Sequence, residues 1–298
     1  TEIYTLSLHD ALPISSMLTA ARILKDLGYR GEYSVYFTFT VIEEDCDGMC
    51  WKYLIEEEKF VPDFFVSTEP TSCRLYRGHR GRMEMEVFFK GVSCHGSAPE
   101  RGVNAGYKAA RGALALEKLN DALPPDDDRF LGKGTIVVSQ IRAHGPSQCA
   151  VPDQASLYID RRLTWGETKE TAVDQVRKAI GADLDRVEIP YYDKPGWKGT
   201  AYGQELYFPT WKLPVDHPLV AGGVRAYRSL YGRDPLIDKW TFSTNATAVA
   251  GRHGIPSIGF GPGDENQAHA PNEITRVDDL EKAAAFYATL PYALKGKL

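Results

Sequence analysis

Four side chains in this chain have the types and the surroundings to do chemistry together. The uncharged run over residues 35–42 ends in Glu43-Glu44, the run over 64–67 leads through Thr68 to Glu69, and the run over 257–260 leads to a loop carrying His269 in the string HAPNE. In open α/β sheets ligands gather beyond the carboxyl ends of strands, so polar residues placed there are the first candidates. Two carboxylates and an imidazole are hard to borderline donors suited to zinc, cobalt or manganese. The remaining carboxylate of the adjacent pair is then placed to accept a proton. Each residue also has a plainer reading: the acidic run 43–47 favours a following helix N-terminus, Glu69 sits in a turn before Pro70, and a loop histidine is often solvated. Cys94 and His95 are neighbours, and adjacent residues on a strand point to opposite faces, which argues against a Cys–His nucleophile pair.

Positioning these groups requires regular elements, and the hydrophobic pattern predicts them. Met17, Leu18, Ala21, Leu24 and Leu27 recur at helical spacing, with Gly28 as the stop. Residues 33–42 form a β-branched and aromatic run without alternation, which predicts a strand covered on both faces. A helix over 49–59 and a short strand over 63–67 continue an α/β sandwich. Over 82–92, Met83, Met85, Val87 and Phe89 alternate with Glu84, Glu86, Phe88 and Lys90, the signature of a half-exposed strand. A helix over 104–119, strands over 135–141 and 155–163, a helix over 168–180 and a strand over 186–191 complete a β-α-β-β-α-β order, the ferredoxin-like motif. After a Pro-, Gly- and aromatic-rich connection at 190–218, a helix over 218–230 restores the first architecture. A strand over 236–240, a helical turn over 247–252, a strand over 257–260 and a helix over 277–290 follow. The expected organisation is therefore a sandwich formed by 16–81 and 193–298, with residues 82–192 inserted.

Composition narrows the function classes. Lys plus Arg number 35 against 40 Asp plus Glu, a formal charge of -5, so no bulk attraction to nucleic acid or anionic lipid is expected. The longest uncharged hydrophobic run, 35–42, falls far short of the roughly 20 residues that span a bilayer. Five cysteines without a CxxC pair predict reduced thiols and a cytoplasmic setting.

The strings TVIEEDCDG, VSTEP, SCHGSAPERGVNA, AVPDQASLYIDRRLTWGE, FSTNATAVAGRHGIP and AHAPNE together resemble the di-zinc metallohydrolases that include acetylornithine deacetylase, succinyl-diaminopimelate desuccinylase, aminoacylase and carboxypeptidase. The branch of selenium-metabolism-linked hydrolases is the nearest in these strings, a name that establishes no substrate. The resemblance runs from Ser16 onward. It implies a zinc-peptidase-like α/β/α sandwich with a ferredoxin-like lid that also dimerises the protein, and hydrolysis of an N-acyl amino acid or peptide amide. Carried over residue by residue, Glu43 matches the general base, Glu44 a ligand of one zinc, Glu69 a ligand of the other, and His269 the last ligand, beside Glu44. His95 matches the lid histidine that reaches the partner subunit's site and polarises the substrate carbonyl, and Asn245 falls in a substrate-facing motif. Cobalt or manganese could replace zinc. Asp160, Arg161 and Arg162 have two readings, as readers of a substrate carboxylate or as ion pairs on a lid strand. Two other functions remain open: a catalytically silent binding or dimerisation module on the same fold, and an N-carbamoyl amide hydrolase.

The first residues read differently. Residues 5–14, TLSLHDALPI, back-translate onto a sequence resembling a common sequencing-adapter oligonucleotide, so residues 1–15 are expected to be foreign to the fold. The resemblance also implies an HxD motif and a metal-bridging aspartate upstream of Ser16. The aspartate's place falls near Leu12, and Asp10 does not stand in for it. On this reading the Glu69 metal keeps one protein ligand and the Glu44–His269 metal two of three. The chain alone is then expected to bind metal weakly and hydrolyse nothing, whereas a parent protein supplying the rest is an enzyme.

Overall fold

The computed structural model of the protein describes residues 8–125 and 127–294; residues 1–7 of the adapter-like segment lie outside the described residues. The chain begins with helix α1 (Leu8–Asp26), followed by α2 (Met49–Glu56), β1 (Phe65–Ser67), β2 (Leu75–His79) and β3 (Gly81–Lys90). Helix α3 (Ala105–Ala122), β4 (Thr135–His144), β5 (Gln154–Leu163), α4 (Lys169–Ile180) and β6 (Arg186–Glu188) come next. Four two-residue strands then appear, β7 (Tyr191–Tyr192), β8 (Gln204–Glu205), β9 (Tyr207–Phe208) and β10 (Trp211–Lys212). Helix α5 (Pro218–Tyr231), β11 (Ile237–Trp240), a π-helical turn (Thr247–Arg252), β12 (Ser257–Gly259) and α6 (Val277–Ala293) close the chain. Among the described residues no helix is long and apolar enough to cross a membrane.

Two compact units result, one from residues 1–79 and 211–298, the other from residues 80–210. The first is an α/β sandwich. Its mixed sheet runs β1-β12-β2-β10, parallel between β1 and β12, with β11 parallel to β2. Successive residues of a strand face opposite sides, and the two faces are covered differently. Leu75 and Ile258 join Leu219, Val220, Phe286 and Leu290 beneath α5 and α6, with Ala20 and Leu24 of α1. On the other side Trp51 and Ile55 of α2 pack on Ala248, Val249 and Ile255. Gly28 ends the α1 region at φ 62, as its position predicts. The helix itself starts at Leu8, inside the segment the sequence reading set aside, and carries Pro13 in its interior.

Residues 33–42 depart from expectation. They enter no β-ladder among the described residues. Tyr33 and Phe37 lean on the core, with Tyr33 edge-on to Phe64 at 5.6 Å, while Tyr36 and Phe39 are exposed. A β-rich run becomes a strand only where a neighbour takes up its backbone groups. Helix α2 also stops at Glu56, earlier than Lys59, which has φ 57.

The second unit has the expected order and the expected sheet. Its strands run β4-β5-β3-β6, all antiparallel, the ferredoxin-like arrangement. Met83, Met85, Val87 and Phe89 of β3 are buried, and Glu84 and Glu86 are not. Those four residues pack with Leu157 and Ile159 of β5, Leu116 of α3 and Val176 of α4. Asn104 caps α3 by accepting from Tyr107 N at 3.1 Å, and Thr168 caps α4 through a capping box with Thr171. This unit runs from Arg80 to Thr210, beyond the 82–192 read from the sequence, because β9 pairs with Arg82 and Met83 of β3. Both of its ends lie together: an added Cβ on Gly81 would sit 2.6 Å from Phe208 O and 2.8 Å from Thr210 N. The ends of the first unit also adjoin, since Trp211 of β10 pairs directly with His79 of β2.

Candidate active site

Parallel strands β1 and β12 lie side by side, Ser67 opposite Gly259, so the segments leaving their carboxyl ends start together. Glu69 follows β1, and the loop with His269 follows β12. Phe260 N donates to Ser67 O at 3.0 Å, and Gly261 packs so closely that a Cβ there would lie 2.2 Å from Glu69 O. Only glycine permits that approach. Glu69 is half-buried. Its charge acts on the buried Tyr287 phenol, whose pKa is pushed well up by burial first, then by Cys73 and Glu69. Tyr287 donates to Phe260 O at 2.6 Å and so holds the end of β12.

Glu43 and Glu44 lie on a turn rather than on a strand end. The turn opens with Ile42 at φ 66, a conformation that a β-branched residue rarely adopts. His269 likewise sits at φ 60. The two segments converge: His269 Nε2 lies 3.5 Å from Glu44 Oε2, with both side chains more than half exposed. Two ligands of one tetrahedral zinc, each about 2.1 Å from the ion, are separated by about 3.4 Å. The donor pair therefore fits two positions around a common cation. Among the described residues no group of three or more His, Cys, Asp or Glu side chains is disposed to hold a metal.

Asn245 is bonded within the protein at both ends of its amide. Its side-chain oxygen accepts from Gly48 N at 3.0 Å, and its amide donates to Thr40 Oγ1 at 3.4 Å. Ser243 donates its hydroxyl to Asp47, both buried, and Thr244 N donates to Nε2 of the buried His79 at 3.3 Å. Sequence reasoning missed Thr40, Asp47, His79 and Ser243. The string FSTNAT stood out, but no spacing rule pairs it with a segment some two hundred residues earlier.

His95 belongs to the second unit, where it bridges to Ala150 and is exposed. Ser97 N donates to His95 Nδ1 at 3.1 Å, and the Ser97 hydroxyl lies 2.7 Å from the same nitrogen. An Nδ1 that accepts from a backbone amide leaves the neutral ring's proton on Nε2, which becomes a donor. Cys94 directs its thiol to Ala98 O at 3.3 Å. Arg161 is fully buried and bonded to Glu167 and to Gln175 Oε1 at 3.0 Å, so its ion pair is not the exposed one expected. Arg162 grips Asp160 through two bonds of 2.7 and 2.8 Å, the strand ion pair of the plainer reading.

With this geometry in place, comparison with known proteins gives the family. Residues 77–188 match M20_dimer, the peptidase dimerisation domain. The chain is 52% identical over 280 residues to "Uncharacterized protein YgeY" of Escherichia coli (strain K12), covering 93% of this chain and 69% of that protein. It is 28% identical over 285 residues to a "Probable carboxypeptidase" of Ajellomyces capsulatus, covering 91% of this chain and 60% of that one. The fold matches the crystal structure of aminopeptidase PepT from Bacillus cereus with a TM-score of 0.69 at 20% identity, over 95% of this chain and 70% of that one. The chain belongs to the M20 peptidase family.

Proposed function

We propose that the protein is a metal-dependent hydrolase of amide C–N bonds, acting on N-acyl amino acids or peptides. The observation that carries this reading is the approach of His269 to Glu44, two donors from distant segments at a ligand-to-ligand spacing, with Glu43 next in the chain. The carboxypeptidase name of a 28% identical relative points to the same bond class. Glu44 and His269 would hold a divalent cation, zinc or else cobalt or manganese, and Glu69 a second. Such ions supply Lewis acidity toward water and a carbonyl oxygen. Glu43 takes the proton from the attacking water and passes it to the departing nitrogen. His95, with its proton on Nε2, donates to the developing oxyanion. Its unit is proposed to pair two copies of the chain, so that each His95 serves the partner subunit's site.

A panel of N-acyl amino acids, dipeptides and N-carbamoyl amino acids, assayed with zinc, cobalt and manganese, tests the proposal. It is run on the chain and on a chimera in which residues 16–298 follow the part of YgeY that precedes its matched region, because the resemblance places further ligands ahead of Ser16. Turnover of an acyl or peptide substrate is expected from the chimera and not from the chain alone, with Glu43→Gln in the chimera lowering kcat by about 10²- to 10⁴-fold. Full activity in Glu43→Gln would leave the proposal without its base, and turnover of carbamoyl substrates alone would move the assignment to that class.

A further inference from the structure

We infer that residues 243–245 form a clasp that sets the Glu43–Glu44 turn, and that Asn245 is a positioning residue instead of a substrate-binding one. The inference rests on the reading of Glu43 and Glu44 as site residues. The clasp takes hold on both sides of the acidic pair. Ahead of it, Asn245 donates to Thr40 Oγ1. Behind it, Asn245 accepts from Gly48 N, and Ser243 donates to Asp47. The clasp is itself fixed from the opposite direction, since Thr244 N bonds the buried ring of His79 and Ala246 N bonds Thr244 Oγ1 at 3.1 Å.

Two independent observations fit a part under load. Ile42 holds φ 66, and a β-branched residue stays in that region only where its surroundings over-determine it. Its carbonyl accepts from Cys46 N at 3.1 Å, closing the turn, while the Cys50 thiol holds Val41 O just before it. Gly48, at φ 68, fits so closely that an added Cβ would lie 2.7 Å from Ala248 Cβ and 3.1 Å from Asn245 O. The turn and the clasp are therefore in direct backbone contact. Each end of the asparagine amide is engaged by the protein, which fixes the plane of the side chain between Thr40 and Gly48.

Peptide-resolved hydrogen exchange on the full chain tests this without reference to catalysis, using Asn245→Ala, Asn245→Asp and Ser243→Ala. Asn245→Ala removes the acceptor of the Gly48 amide, so exchange over residues 43–50 is expected to rise by about tenfold. Asn245→Asp retains an acceptor and is expected to recover the protection. Residues 283–290 in α6 report whether the fold survives. If Asn245→Ala unfolds the chain, Ser243→Ala decides, expected to raise exchange over the same segment with α6 unchanged. Unaltered exchange over 43–50 in a folded Asn245→Ala or Ser243→Ala variant overturns the clasp. Where an active form is in hand, a positioning role lowers kcat at constant KM, whereas a rise in KM alone overturns it in favour of substrate contact. Loss of protection in a chain that hydrolyses nothing would leave the clasp standing and remove only the proposed reaction.

Discussion

Glu265 shares a loop with His269, yet its carboxyl has different surroundings. Its Oε2 is buried and meets no hydrogen-bond donor among the described residues. Burial first, then Asp238 and Asp264, push its pKa up to about 7, against the opposing pull of Arg74 and Lys239. A carboxyl whose folded pKa lies above its unfolded one binds more protons in the native state. Stability is then highest below about pH 4.5 for this group and falls as pH rises toward 7. The full effect should reach about 1 to 2 kcal/mol after solvent screening. Glu265→Gln is expected to raise the Tm at pH 8 and leave it unchanged near pH 4.5; an equal change at both pH values would contradict this account. Glu43, Glu44, Glu69 and His269 stand out as candidates in the sequence because each follows an apolar run. Glu265 does not, since its perturbing partner Asp238 comes from β11 and only the fold brings the two together. The same limit hid the Ser243–Asp47 pair and made Arg161 look available.

At the scale of elements, period-2 and period-3.6 patterns identified β3, β5, α3 and α4, whose buried faces are the ones the alternation marks. Strand β2 escaped notice. Its five residues, LYRGH, mix Arg, Gly and His with two apolar residues, yet it pairs with β10, β11 and β12. Gly78 serves that central place, since an added Cβ would fall 2.8 Å from Trp211 O. Residues 33–42 show the converse: β-propensity without a ladder. Strand β4 makes a different case, because β5 is its only ladder partner among the described residues. Val137 and Ile141 are 55% and 60% exposed on it, and Leu114 of the neighbouring α3 is 60% exposed. An apolar sheet edge of this kind pairs well with its own copy across a two-fold axis. Val137→Lys combined with Ile141→Lys is expected to convert the proposed dimer to a monomer, read by light scattering after size exclusion. A dimer unaffected by both changes would place the interface elsewhere.

At the scale of the whole molecule, the order of elements disclosed an inserted unit, but its limits came from pairing that short strands do not announce. Tyr207–Phe208 reads as part of a connection until it is seen along β3. The match over residues 77–188 agrees with the insertion, whereas the 69% and 60% spans of the relatives leave the complete protein's activity a proposal. The adjoining ends of both units carry a further consequence. His79 and Trp211 face each other in antiparallel register, the geometry that a two-residue Asn-Gly turn closes. Replacing residues 80–210 by Asn-Gly is expected to leave a shortened sandwich that melts cooperatively, and residues 80–210 expressed alone should give a folded dimer. Loss of near-ultraviolet circular dichroism in either product would refute this. If both fold, the second unit is a cassette: it can be exchanged among sandwiches of this kind by recombination at two neighbouring points, so that assembly and chemistry are free to diverge separately.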